Sequence, residues 1–321
     1  EIRLSLVGSE MCIRDRVSAE MWERPAADAV LGRLAQDVTG ILRDADMTGA
    51  VAVRVIDAPE LPAFGWRADE AFPAASLYKL VVMVAFCRAV DRGDLDPTAL
   101  VTLRPEDRAD GPTGLAICQD PVRISWRDLV RLMMTVSDNA AGQAVLREVG
   151  HARVRDVLRE MGLSSTVVRP GPAPDAVPEQ AVSVGTEQAQ DPYLVPDPVG
   201  YDPLLVSATT ASDLVALLCA IWQDRAASTA QCAFMREVMS QQAWGHRFAE
   251  AFSYPGAGVA AKTGSFGALC HEAGVISHPG EKSIAVAVLT RSVRRERQIA
   301  VSNRIVGQIA RHCVRSYRQF L

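Results

Sequence analysis

Between Ala71 and Cys87 the chain carries a single charge, Lys79, in a run that is otherwise uncharged and mostly apolar. From Ser76 to about Val90 this stretch predicts a helix that is apolar almost all round and stops at the turn signals Asp91, Gly93 and Pro97. A helix without a polar face has to be central, with other elements packed about it. A chain of 321 residues with 49% hydrophobic content can bury it. No window reaches the roughly 18 uncharged apolar residues of a membrane span, because Arg and Asp interrupt the other long runs and Lys79 this one. No membrane association is therefore expected.

The patterns on either side of this helix differ in period. Val30 to Arg43 repeats at helical spacing, and Ala50 to Ile56 is a strand of small and β-branched residues. Ser125-Trp-Arg-Asp128 reads as a capping box opening a helix through Val136, and a second helix runs from Ala140 to Gly150, leaving Ser137-Asp138-Asn139 on the turn between them. Residues 169 to 203, rich in Pro, Gly, Gln and Asp, read as a long irregular loop. Thr210-Ala-Ser-Asp213 caps a further helix, Leu214 to Trp222. Strands follow around Ala260, Gly274 and Ile284–Leu289, the last two joined by the turn His278-Pro-Gly-Glu-Lys282, and a helix from about Arg297 to Gln319 closes the chain. Strands at both ends with helices between predict an α+β fold of three layers: an antiparallel sheet built from both termini, flanked by helices, with an all-helical lobe inserted. The expected boundaries are 17–75 and 226–321 for the sheet lobe and 76–225 for the helical lobe. Residues 1–16 resemble a translated sequencing-adapter tract and are set aside, so that native sequence starts near Val17 or Met21. As written, the chain points to the cytoplasm; a lost signal peptide would place it in the periplasm or outside the cell.

Composition removes several classes of function. A net charge of −4 lacks the basic stripe that phosphate backbones require, so nucleic acid is not an expected partner. The seven cysteines contain no C-x-x-C pair, and the five histidines lack i, i+4 pairing, so neither a metal site nor a disulfide framework is indicated. No cofactor is implied, and the expectation is a monomer acting on a small molecule.

Lysine usage points to chemistry. Of 34 basic residues only Lys79, Lys262 and Lys282 are lysines, leaving 31 arginines. Arg stays protonated, whereas a desolvated Lys loses its proton near neutrality and becomes a base. On a helix Ser76 and Lys79 stand at i and i+3, on one face, the arrangement of a serine nucleophile activated without histidine. Two further motifs, Ser137-Asp138-Asn139 and Lys262-Thr263-Gly264, follow in the order S-x-x-K, S-D-N, K-T-G.

With these motifs, the segment Arg127 to Asn139, the helix start Thr209-Thr-Ala211, Lys262-Thr-Gly-Ser265 and His271-Glu-Ala-Gly274, the chain from about Ala50 to the last strand resembles the class A β-lactamase and penicillin-binding-protein superfamily. The resemblance implies that Ser76 attacks a carbonyl while Lys79 takes its proton, and that Ser137, held by Lys262, relays a proton to the leaving nitrogen. Asn139 is implied to bind the acyl side-chain amide. The N–H groups of Ser76 and Ser265 are implied as the oxyanion hole, with Thr263 and Ser265 at the substrate carboxylate and Gly264 beside them. A β-lactam or a D-alanyl peptide is the implied substrate class.

Two departures from the family pattern matter. The E-x-x-L-N segment that supplies a deacylating Glu before Thr209 does not occur; Asp191, in Asp191-Pro-Tyr-Leu194, is the candidate base, with Asp197 and Asp202 as further acids. The strand after Lys262 reads His271-Glu272-Ala273 where many relatives place an Arg. Glu272 is expected to face outward, and Arg291 on the next strand is the substitute for contacting a carboxylate.

Overall fold

The computed structural model describes residues 27–170, 198–293 and 299–321. Two strands near the start, β1 (Met47–Val55) and β2 (Phe64–Trp66), join three near the end, β7 (Gly258–Phe266), β8 (Leu269–Ser277) and β9 (Ile284–Ser292), in one antiparallel sheet of order β2-β1-β9-β8-β7. β1 and β9 pair along their whole lengths, from Met47 opposite Ser292 to Val55 opposite Ile284. Between them the chain forms the helical lobe: α2 (Tyr78–Asp91), α3 (Trp126–Thr135), α4 (Asn139–Val149), α5 (His151–Glu160), α6 (Ala211–Trp222) and α7 (Thr229–Ser240). Two short ribbons, β3 (Phe72–Pro73) with β6 (Ala208–Thr209) and β4 (Leu100–Leu103) with β5 (Val122–Ser125), tie its loops together.

The sheet separates two cores because its strands alternate. Val51, Val53, Val55, Ile276, Val286 and Val288 face α1 (Ala27–Asp44), α8 (Phe248–Ala251) and α9 (Ile299–Tyr317). On the other face Ala50, Ala52, Ala273, Ala285 and Ala287 are small, so the helical lobe packs close to the backbone there. α2 is the centre of that second core: from Leu80 to Cys87 every side chain is buried, as its unbroken apolar sequence requires. Both expected caps are present, with Ser125 Oγ accepting the Asp128 N–H at 3.3 Å and Thr210 Oγ1 accepting that of Asp213 at 3.1 Å. Among the described residues no helix is long and apolar enough to cross a membrane.

Two glycines give opposite tests of this packing. A methyl group at Gly274 would lie 2.5 Å from Ala261 Cβ and 2.6 Å from the Ala260 carbonyl oxygen, whereas one at Gly40, within α1, would meet nothing within 4 Å. Gly274→Ala is expected to cost about 1–3 kcal/mol through overpacking, and Gly40→Ala to add about 0.5–1 kcal/mol by restricting the unfolded chain. Thermal unfolding should show shifts of opposite sign.

Candidate active site

The Ser76 hydroxyl stands at the mouth of α2. A single 3₁₀ turn, Ala75–Leu77, precedes the helix, and Ala75 has φ of 44°, an uncommon conformation for a residue with a Cβ. The turn is held from both sides: Ala74 N–H donates to Ser207 O at 2.7 Å, and Leu77 N–H donates to Ala74 O at 2.9 Å. β7 passes directly behind it. A methyl at Gly264 would lie 3.1 Å from Leu77 Cγ and 3.3 Å from Ala74 O, so the motif glycine lets the strand reach the Ser76 turn.

One helical turn further in, Lys79 is fully buried. Its Nζ donates to Ser137 O at 2.7 Å, to Asn139 Oδ1 at 2.9 Å and, at 3.4 Å, to Ser137 Oγ; none of these bonds goes to Ser76. Burial brings its pKa down to about 7, against an upward pull from Asp138. Lys262 is also fully buried, donates to Ser137 Oγ at 3.0 Å and to Thr263 O at 2.8 Å, and is pushed well below the ordinary lysine value by burial and by the positive charges of Lys79 and Arg247. Ser137 Oγ thus accepts from two amines, which leaves its own proton to point elsewhere.

Ser137 itself has φ of 59°. The carbonyl before it, Val136 O, accepts from Thr113 Oγ1 at 2.9 Å and from Trp244 Nε1 at 3.1 Å. The residue after it, Asp138, is buried and caps α4, accepting from the N–H groups of Ala140, Ala141 and Leu115. Asn139 Nδ2 donates to Asp110 O, so both ends of its amide are engaged.

A model of the beta-lactamase enzyme family matches residues 33–317. The chain belongs to that family. "Beta-lactamase regulatory protein BlaB" from Streptomyces cacaoi is 29% identical over 283 residues, covering 81% of this chain and 89% of that protein. In structure, a beta-lactamase from Sphaerobacter thermophilus superposes with a TM-score of 0.72 at 23% identity, covering 90% of this chain and 97% of the other. A PBP-A mutant solved as an acyl-enzyme complex with penicillin G gives 0.72 at 22%, with the same coverage. These structural likenesses show the fold: an α+β sheet with an inserted helical lobe.

Within this β-lactamase fold the sequence-derived residues Ser137 and Asn139 accept from Lys79, Lys262 donates to the same Ser137 hydroxyl, and Gly264 abuts the Ser76 turn. Asp191 and Asp197 lie outside the described residues. Asp202 forms a turn, its Oδ1 accepting Leu204 N–H at 2.8 Å and its carbonyl accepting Leu205 N–H. Arg291 is exposed, with its guanidinium 4.4 Å above the centre of the Tyr201 ring. The cation bonded to Ser265 Oγ is instead Arg247, which also donates to Gly264 O, His271 O and Asn303 Oδ1. No motif marks Arg247 among 31 arginines.

Two other residues escape a motif reading. Gly142 stands one turn after Asn139, where a methyl would lie 2.9 Å from Lys79 Cε. At Gly114 a methyl would lie 2.3 Å from Asp138 Oδ2. A glycine one helical turn beyond S-D-N is the signal that would find the first. A cavity of about 430 Å³ opens beside the Ser76 turn, lined by Ala75, Tyr78, Leu205, Phe266, Leu269 and Arg169 among others. Among the described residues no cluster of His, Cys, Asp or Glu is suited to hold a metal.

The expectation that Glu272 faces outward is corrected. It points away from the Ser76 side of the sheet, but α8 and α9 cover that face, and only 1% of the residue is exposed. Burial pushes its carboxyl up from 4.5 to about 7, opposed by Arg247, the Phe248 N–H and Lys262. The folded protein therefore holds this proton more tightly than the unfolded chain. The stability it contributes is present below pH 4.5 and is lost as pH rises through about 7. The Tm of the wild type relative to Glu272→Gln should fall between about pH 5 and 7 and level off near pH 8; a constant difference would contradict the burial.

Proposed function

We propose that this chain is a serine hydrolase that forms an acyl-enzyme at Ser76, with a β-lactam or a related cyclic amide as substrate. The observation that carries this reading is the Ser137 hydroxyl held between two buried amines, Lys79 at 3.4 Å and Lys262 at 3.0 Å. A lysine with a pKa of about 7 is half deprotonated at neutrality. Once neutral, Lys79 has a lone pair and keeps two N–H groups, enough to hold Ser137 O and Asn139 Oδ1 while the lone pair takes the Ser76 proton. The Ser76 oxygen then attacks the carbonyl carbon. Developing negative charge is received by the N–H groups of Ser76 and Ser265, and the leaving nitrogen takes the Ser137 proton, which is replaced from the lysines. Thr263, Ser265 and Arg247 form the pocket for a substrate carboxylate, with Arg247 favoured over Arg291 because it is the one bonded to Ser265. The second N–H of Asn139 Nδ2, beside the one held by Asp110 O, is the donor for the acyl amide, and the apolar cavity beside Ala75 takes the acyl group's hydrocarbon part. Asp191 is the proposed base for the water that clears the acyl group.

A second reading keeps acylation and removes fast turnover: the acyl-enzyme persists, as in a D-alanyl peptidase or a sensor of β-lactams. The similarity to a protein named as a β-lactamase regulator favours it, as does the engagement of Asp202 in a turn.

Intact-protein mass spectrometry after mixing with penicillin G should show a 1:1 adduct, absent in Ser76→Ala. Turnover of a chromogenic cephalosporin selects the first reading, and a lasting adduct without turnover the second. No adduct on the wild type removes both. The acylation rate should rise with pH through about 7, as Lys79 sheds its proton. Lys79→Arg, which cannot supply a neutral amine, should slow it by about a thousandfold. Gly142→Ala should slow it by about a hundredfold through displacement of Lys79, with little change in Tm.

A further inference from the structure

Arg247 reaches Ser265 from the N-cap of α8, where it is 3% exposed. Three contacts hold it there. Asn303 Oδ1 on α9 accepts from Arg247 Nε at 2.9 Å. Gly307, one turn later on the same helix, lets α9 touch the Arg247 backbone, since a methyl there would lie 2.6 Å from Arg247 O. The third contact is on β8: Glu272 Oε2 accepts the N–H of Phe248, the residue immediately after Arg247, at 2.7 Å.

Asn303 fixes the root of the side chain. The peptide plane between Arg247 and Phe248 is held at its carbonyl by Gly307 and by the Ala251 N–H, which donates to Arg247 O at 3.0 Å, and at its N–H by Glu272; together these set the direction in which Arg247 leaves the chain. Its carboxyl also lies in the buried region that holds the cations of Arg247 and Lys262, and among the described residues it is the negative charge that acts on Lys262. Its hydrogen bond goes to the Phe248 N–H and not to Ser76, Lys79, Ser137 or Lys262. Its surroundings on β8, Cys270 and Ile276 on the same face, are apolar, so a carboxylate at this place is otherwise unexplained.

We propose that Glu272 is a positioning residue for substrate recognition: by holding the Phe248 N–H it aims the Arg247 guanidinium at Ser265, and so sets the preference of the site for acyl donors that carry a carboxylate beside the scissile amide. This rests on the reading of Ser76 as the acylated nucleophile. It differs from a general structural role in what it protects, which is discrimination between substrates and not the reactivity of the serine.

The test compares penicillin G with its methyl ester, which has the same ring and acyl group but no carboxylate. Second-order rates of Ser76 acylation are read by intact mass on the full chain. The wild type should prefer penicillin G, and Glu272→Ala should reduce the preference by about tenfold or more, the worth of a charge-assisted contact. Glu272→Gln, whose amide oxygen still accepts the Phe248 N–H, should keep it within about threefold of the wild type. Glu272→Met fills the volume without an acceptor and replaces the alanine variant if that does not fold. The proposal is overturned if the loss variant keeps the wild-type preference, if both substrates slow together, or if glutamine fails as badly as alanine. Failure of the underlying reading looks different: the wild type then takes up neither compound.

Discussion

An ammonium group sits in a stretch of helix, Tyr78–Cys87, that has no other charge, and the structure around it follows from accommodating that group. Lys79 is desolvated because this stretch of α2 is buried at the centre of the helical lobe. A buried cation is tolerated only with oxygens at hydrogen-bond distance. They come from the turn between α3 and α4, as Ser137 O and Asn139 Oδ1. That turn must therefore be rigid, and Asp138 makes it so by capping α4 and taking the Leu115 N–H from the neighbouring loop. Gly114 and Gly142 lack side chains at the two places where one would strike Asp138 or Lys79. The same desolvation that lowers the Lys79 pKa is thus what obliges S-D-N to be where it is.

The helical lobe has to be locked to the sheet, because Lys262 arrives from β7 while Ser76 and Ser137 belong to helices. His271 is one such lock. Its Nδ1 accepts the Thr290 N–H at 3.0 Å, which puts the ring proton on Nε2, and Nε2 donates to Pro73 O at 3.1 Å, three residues before Ser76. A neutral imidazole therefore ties β9 and β8 to the strand leading into the Ser76 turn. Gly264 allows the approach on the neighbouring strand.

The parts of this arrangement that could be read from the sequence are those set by local pattern. The uncharged run marks α2, β-branched alternation marks β1 and β9, and side-chain caps mark α3 and α6. α5 and α7 are not singled out by the sequence reading: α5 buries only Val154, Val157 and Leu158 in a strongly charged segment, so its periodic signal is faint. The ribbons β3–β6 and β4–β5 exist only through pairing with distant partners. In the site, Ser76, Lys79, Ser137 and Lys262 were legible because the proposed chemistry ties residue type to spacing. Arg247 was not, since burial rather than spacing separates it from the other arginines. Glu272 shows the same limit from the other side: strand alternation gives the face it occupies, but only tertiary packing tells that α8 and α9 cover that face.

The backbone adds a last constraint. Among the described residues six that are not glycine have positive φ: Asp46, Asp57 and Asp224, whose short side chains tolerate it, Arg67, and then Ala75 and Ser137. The last two have no such local excuse from an Asp or Asn side chain, and each costs about 1–2 kcal/mol. One immediately precedes Ser76, the proposed nucleophile, and the other is the proposed proton relay. Each is held by contacts that a relaxed conformation would break, Ala74 to Ser207 on one side and Val136 to Thr113 and Trp244 on the other. Those contacts join different elements, so the strain is sustained by the assembled fold and not by the turns themselves. The two hydroxyls are therefore placed only when those elements are assembled, which makes the geometry of the site a property of the tertiary fold.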